Sequence, residues 1–262
     1  MKLVGTQHGC HYGTARWFRE EDHQVAIYDR FFSWGWDSRR EPKIKPLAAA
    51  KLNKAKHLLR PRPDGRILLA TYTFARYAYK MFSVPVSGSG ALTFFDEQFR
   101  FARALPQAVR ETLLVRLFPN DRDWSQGLLW DQACPGVETY LGTTVSMFEQ
   151  MNQSRLFVTL ANSTPALEGL VADFPSVLLT NPGTFEVSDD ATPYFDGLRE
   201  AGILHDTPED AAAKVAEVFE DPLQWWNRAE VQKARREFCA RFALTSDRWL
   251  LEWRKELVAL VR

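Results

Sequence analysis

The stretch from Arg155 to Thr180, RLFVTLANSTPALEGLVADFPSVLLT, constrains this chain more than any other. Leu156 to Leu160 is an apolar run rich in strand formers, and Ser176 to Thr180 is a second. Between them, Asn162, Ser163 and Thr164 are N-cap residue types, and Pro165 suits a first helical position. Ala166 to Ala172 is short and helix-compatible, and Pro175 ends it. Two buried strands joined by a helix make a βαβ unit, which dictates a parallel sheet with a right-handed crossover. Ligands of such sheets bind beyond the carboxyl ends of the strands, where the turn from Asn162 to Thr164 lies. The free N–H groups and dipole of the following helix form a seat for phosphate. An ordinary capped helix uses the same residues, so both readings stand. Glu168, one turn inside, can hold a ribose diol or simply complement the dipole.

Elsewhere, strands and helices alternate. Val25 to Trp36, VAIYDRFFSWGW, is β-prone and aromatic, and Ala48 to Leu59 is helical with a basic face of Lys51, Lys54 and Lys56. Arg66 to Thr73 is a strand, and Phe74 to Met81 a loop or helix start carrying Arg76. Ser83 to Gly90 has the composition of a mobile loop. Phe94 to Arg110 is helical by period, with Pro106 able to split it, and Leu113 to Phe118 is the next strand. Residues 124 to 142 give no clear pattern. A helix over Thr144 to Gln153 leads into the opening unit. Further helices are expected over Tyr194 to Ala201 and after Thr207-Pro208-Glu209-Asp210, with two more in residues 222 to 262. The pattern is α/β: a Rossmann-like, doubly wound parallel sheet with a helical C-terminal tail.

Composition removes several functions. Lys plus Arg and Asp plus Glu both number 33, so no global charge calls for nucleic acid. Three scattered cysteines fit a reducing compartment and no CxxC metal site. No apolar run spans a bilayer, so a cytoplasmic protein is the simplest reading. The tail, with Trp225, Trp226, Trp249 and Trp253 among many Arg and Lys, permits peripheral attachment to the inner membrane. There is no GxxxxGK[ST], no GxGxxG after a strand and no GxSxG, which turns the α/β options towards nucleotide-sugar chemistry. His8 and His11 flank a Gly-rich turn. His8 is a candidate general base or a structural histidine, and the spacing does not suit a metal. Arg76 and Arg116, near strand ends, can grip phosphate or carboxylate through the guanidinium fork, or form surface ion pairs with Asp121 and Asp123.

Gln7-His8-Gly9, Tyr12-Gly13, Asp29-Arg30-Phe31 and Trp34-Gly35-Trp36 resemble the signature of a transferase family encoded in bacterial O-antigen and surface-carbohydrate clusters. Ala75-Arg76-Tyr77, Val115 to Pro119 with Asp121 and Trp124, and Asn162-Ser163-Thr164 with Glu168 follow in the family's order, and the resemblance reaches about Phe242. Cys10 stands where the pattern has a second Gly. The family looks like a GT-B glycosyltransferase, with two Rossmann-like lobes and a cleft between them. The resemblance implies the C-terminal, donor-binding lobe. Asn162, Ser163 and Thr164 would seat the donor phosphate, Glu168 the ribose or base, Arg76 and Arg116 phosphate or a donor carboxylate, and His8 the acceptor proton. It implies a nucleotide-sugar substrate, a glycan acceptor, no cofactor and no metal. Residues 1–30 would be a remnant of the first lobe and interlobe segment, 31–221 the nucleotide-sugar-binding domain and 222–262 the C-terminal helices. A missing first lobe or partner subunit is expected. The alternative is a non-catalytic remnant lobe serving as an interaction or scaffold protein.

Overall fold

The computed structural model describes residues 2–77, 90–160 and 162–261, without the side chain of 261. The expected loop from Ser83 lies outside the described residues except for Gly90, as do residues 78–81 of the preceding segment.

A small parallel sheet comes first. It holds β1 (Val4–Thr6), β2 (Arg30–Ser33) and β3 (Ile44–Pro46) in that order, with α1 (Arg19–Ile27) between the first two strands and α2 (Ala50–Leu58) after the third. Its strands come from both sides of residue 30. The expected strand from Val25 is corrected here, because Val25 to Ile27 end a helix. Glu20, Glu21 and Asp22 favour that helix by complementing its N-terminal dipole, and Val25 is its only buried residue.

The large sheet contains β4 (Arg66–Ala70), β5 (Leu113–Leu117), β6 (Glu138–Leu141), β7 (Ser154–Thr159), β8 (Ser176–Leu179) and β9 (Leu204–His205). Its spatial order is β6-β5-β4-β7-β8-β9, and every pairing is parallel. Counted within the sheet this is 3-2-1-4-5-6, the order of a doubly wound Rossmann sheet. α3 (Ala91–Ala104), α4 (Gln107–Arg110) and α5 (Gln126–Ala133) serve one half. After α6 (Met147–Asn152) carries the chain back to the centre, α7 (Thr164–Val171) and α8 (Thr192–Glu200) serve the other. Right-handed crossovers running outwards in opposite directions put the two helix sets on opposite faces. α9 (Pro208–Val218), α10 (Pro222–Trp226), α11 (Ala229–Phe242) and α12 (Trp249–Val261) complete the chain. The tail beyond residue 221 therefore holds three helices rather than two, because Asp221 and Pro222 start a short extra one.

β7, α7 and β8 are the expected βαβ unit, with Val158 beside Val177 in parallel register. Gly65 lets the chain pass over β7, since a Cβ there would lie 2.4 Å from the Gln153 carbonyl. The patternless residues 124 to 142 hold α5 and the edge strand β6. That strand buries no residue fully, so it lacks the apolar alternation that would mark it.

The two sheets are tied together through several segments. Ser188 N donates to Thr14 O at 2.8 Å, Arg16 N to Glu186 O at 2.9 Å, and Leu244 N to Trp34 O at 2.8 Å. Trp253 of α12 packs edge-on to Phe32 of β2 at 5.2 Å.

Candidate active site

Because β4→β5 and β7→β8 turn away from each other, a crevice opens at the carboxyl ends of β4 and β7. A cavity of about 560 Å³ occupies it. One wall comes from the large sheet: Thr71 after β4, Arg116 to Pro119 at the end of β5, Thr159 at the end of β7, and Asn162 to Pro165 at the start of α7. The other wall comes from the small sheet: His8 to Tyr12, with Phe18, Glu20 and Gln24 from around α1.

On the first wall, Ser163 caps α7 by accepting from Ala166 N at 3.3 Å, and its hydroxyl lies 3.3 Å from Thr159 Oγ1. Pro165 has no N–H, Ala166 N is given to Ser163 Oγ and Leu167 N to Ser163 O at 3.2 Å, so among the described residues the first turn of α7 brings the Thr164 amide to the crevice. Asn162 is buried and already engaged. Its Nδ2 donates to Cys10 O at 3.2 Å and to Thr14 Oγ1 at 3.0 Å, while Cys10 Sγ donates to the Asn162 carbonyl at 2.8 Å. This exchange clasps loop 7–14 to the turn that starts α7. Burial pushes the Cys10 thiol up to about 12, so it serves as a neutral donor.

Arg116 is the main electrostatic feature. Only 7% of its surface is exposed. Nη1 donates to Val145 O at 2.9 Å and to Gln150 Oε1, Nη2 donates to Gly142 O at 3.3 Å, and Tyr140 lies under the guanidinium at 5.7 Å. Gly142 makes room, since a Cβ there would meet Nη2 at 2.7 Å. The acceptors that Arg116 reaches are all neutral, and no carboxylate pairs with it among the described residues. Burial lowers its pKa from the ordinary value, the sign that its charge lacks compensation. Asp121, a possible partner by sequence, instead accepts from Ser125 N and Gln126 N at 2.5 and 2.6 Å. A buried cation on a cavity wall favours an anion in the cavity.

On the second wall, Tyr12 Oη donates to Gln24 Oε1 at 3.0 Å and lies 3.1 Å from His8 Nδ1. With the phenol proton given to Gln24, the His8 bond takes its proton from Nδ1. The acceptor nitrogen of His8 is then Nε2. Burial raises the Tyr12 phenol above its usual range and keeps it neutral. His11 stays neutral down to about pH 4 because it is buried against Phe18 and Phe185, and its Nδ1 has no hydrogen-bond partner among the described residues. Gln7 sets the loop: it accepts from Trp34 N and Trp36 Nε1, both at 2.8 Å, and donates to Gly9 O at 2.7 Å. The quoted Gln-His-Gly and Trp-Gly-Trp motifs are thus one clamp.

The cavity brings together His8, Asn162, Ser163, Thr164 and Arg116. Arg76 and Glu168 are not among its lining residues. Arg76 is exposed, donates to Asp123 O at 3.2 Å and stacks over Trp124 at 5.5 Å. Glu168 is buried on the side of α7 facing α2, with Lys51 Nζ at 3.9 Å, and burial raises its pKa against the pull of Lys51 and Lys54. Gln24, Glu20 and Thr71 join the site without having been singled out by sequence, and Tyr12, quoted there only as part of the Tyr12-Gly13 motif, joins it beside His8. Among the described residues no group of three or more His, Cys, Asp or Glu is placed to hold a metal. No helix among them is long and apolar enough to cross a membrane.

A family model described as LIC12162 family transferase matches residues 1–257. A search of curated proteins finds no match. Solved structures similar to the chain include WaaG, a glycosyltransferase involved in lipopolysaccharide biosynthesis, at 12% identity and TM-score 0.41, covering 87% of this chain and 62% of that one. The spinosyn forosaminyltransferase SpnP matches at 15% identity and TM-score 0.43, over 87% of this chain and 50% of that one. The wall teichoic acid polymerase TagF matches at 12% identity and TM-score 0.46, over 98% of this chain and 67% of that one. The chain spans roughly half to two thirds of these structures.

Proposed function

The chain belongs to the LIC12162 family of transferases, and from that premise we propose that it binds a nucleotide-activated sugar and transfers the glycosyl group to a glycan hydroxyl. It acts as the donor lobe of a GT-B glycosyltransferase, without a metal, in assembly of a surface polysaccharide such as O-antigen or capsule. The polysaccharide context rests on the Gln-His-Gly and Trp-Gly-Trp resemblance. The observation that carries the chemistry is Arg116: a buried guanidinium with no carboxylate partner among the described residues, on the wall of a cavity at the sheet's switch point.

The donor's phosphates lie between Arg116 and the N-terminus of α7, at the Thr164 amide. There the charge that grows on the departing nucleotide meets fixed positive groups. His8 Nε2 takes the proton of the acceptor hydroxyl as that oxygen bonds to the anomeric carbon. The bond from that carbon to the phosphate oxygen breaks, and its electron pair leaves with the nucleotide. Tyr12, through Nδ1, holds His8 in the tautomer this requires. Asn162 positions the base by fixing loop 7–14 rather than by touching phosphate through its side chain. Calorimetric titration with CMP-, UDP- and GDP-linked sugars tests the reading. One class is expected to saturate at roughly micromolar to millimolar concentration. No binding from any of the three contradicts it.

A further inference from the structure

The last helix has two faces of different chemistry. Trp249, Glu252, Trp253, Glu256 and Leu260 recur at helical spacing and are half-buried against the body. Trp253 Nε1 donates to Ala48 O at 2.8 Å, Glu256 pairs with Lys45 at 2.5 Å, and Glu252 accepts from Ser246. Both acids of α12 are therefore turned inwards and satisfied.

The outward face carries Leu250 and Leu251, each 64% exposed, and Leu257 and Val258, each 45% exposed. Arg254 and Lys255 stand among them, exposed and without an ion-pair partner among the described residues, and exposed Arg248 precedes the helix. Large apolar side chains and cations share this face, with no acid. Before α12, Thr245 belongs to the lining of a cleft of about 630 Å³ with Lys56, Arg60, Arg235 and Arg236, of which Lys56 pairs with Asp247 at 2.9 Å and Arg235 with Asp173 at 3.1 Å. Asp173 is the only acid in that lining.

We propose that the outward face of α12 docks on the surface of an anionic lipid bilayer. The leucines enter the interface, and Arg254 and Lys255 extend to lipid phosphates. Charge complementarity decides among occupants. Two copies meeting symmetrically through this face would set its cations against one another, whereas a bilayer rich in acidic headgroups satisfies the cations and the leucines together. With 13 residues, α12 is too short to cross a membrane, so it lies in the surface plane.

Flotation of the whole chain with phosphatidylcholine vesicles, with and without phosphatidylglycerol, tests this. Expected is flotation with the anionic vesicles, weakened by salt and lost in Leu250→Ser/Leu257→Ser. Arg254→Gln and Lys255→Gln should each weaken partitioning about fivefold. These side chains are exposed, so thermal melting should show all variants folded, and the two single-charge variants still report if the leucine pair does not fold. Failure of the wild type to float with anionic vesicles overturns the proposal, as does flotation unchanged in every variant. Sedimentation equilibrium showing a dimer that the leucine substitutions dissociate also overturns it and assigns the face to a second copy.

Discussion

Arg116 and Arg76 begin alike. Each lies at or just beyond the carboxyl end of a strand of the large sheet, and each is a plausible phosphate ligand by sequence. The fold separates them. Arg116 sits inside β5, so its side chain is drawn under the edge strand, where Val145, Gly142 and Gln150 orient the guanidinium but leave its charge uncompensated. Arg76 lies six residues past the end of β4 and runs outwards over Trp124, where water screens it. Position relative to a strand end thus separates a cation at the cavity from one on the surface. The cavity's two walls show a similar contrast: the Arg116 wall offers positive charge and the Thr164 amide, and the His8 wall offers a proton acceptor.

The sharpest division of labour is predicted for His8→Ala. Turnover should fall about 10²- to 10⁴-fold while the nucleotide dissociation constant moves less than about twofold. A large loss of binding would merge the two walls into one function. Arg116→Gln should do the reverse and weaken nucleoside diphosphate binding about 10- to 100-fold, with Arg76→Gln within about twofold in the same titration. Equal effects at the two arginines would break the comparison.

Next in size is Asn162→Ala, which removes the two side-chain bonds of the clasp on loop 7–14 and leaves the bond from Cys10 Sγ to the backbone carbonyl. Urea unfolding should show a loss of about 1–3 kcal/mol, with turnover reduced more than nucleotide affinity.

Glu21, on the helix behind the His8 wall, gives a pH signature. Burial raises its carboxyl from 4.5 to about 7, outweighing the bond it accepts from Gly13 N at 2.5 Å. Between those values the folded state keeps a proton that the unfolded chain has released, so this group's contribution falls as pH rises from 4.5 to 7. Glu21→Gln should remove that slope, leaving the variant more stable than wild type by roughly 1 kcal/mol above pH 7, after allowing for partial exposure. Melting series from pH 4 to 8 would show it, and parallel curves would contradict it. The smallest effect is expected at Glu168→Gln, with nucleotide affinity changed less than about twofold because Glu168 faces α2.

How far the residues alone reveal this molecule follows from the range of the interactions. The βαβ unit is legible because two apolar runs and a capped turn are local signals, and capping at Ser163 is seen as expected. α1 is hidden because its sequence is mostly polar and a single side chain is buried. The half-exposed β6 is hidden for the same lack of pattern. At the site, His8 and the turn starting α7 could be nominated by residue type. The Asn162–Cys10 clasp, across 152 residues, leaves no local trace. Neither does the orientation of Glu168, since a helix surface offers several faces and only tertiary packing selects one.

The central claim is that an anionic nucleotide occupies the crevice between the two walls. Hydrogen–deuterium exchange of the whole chain, with and without a saturating nucleoside diphosphate, tests it most directly. The account predicts slowed exchange at residues 8–12, 116–119 and 162–167, with no change at residues 74–77 and 121–125. Protection around Arg76 and the 121–125 loop, with the crevice segments unchanged, would contradict it.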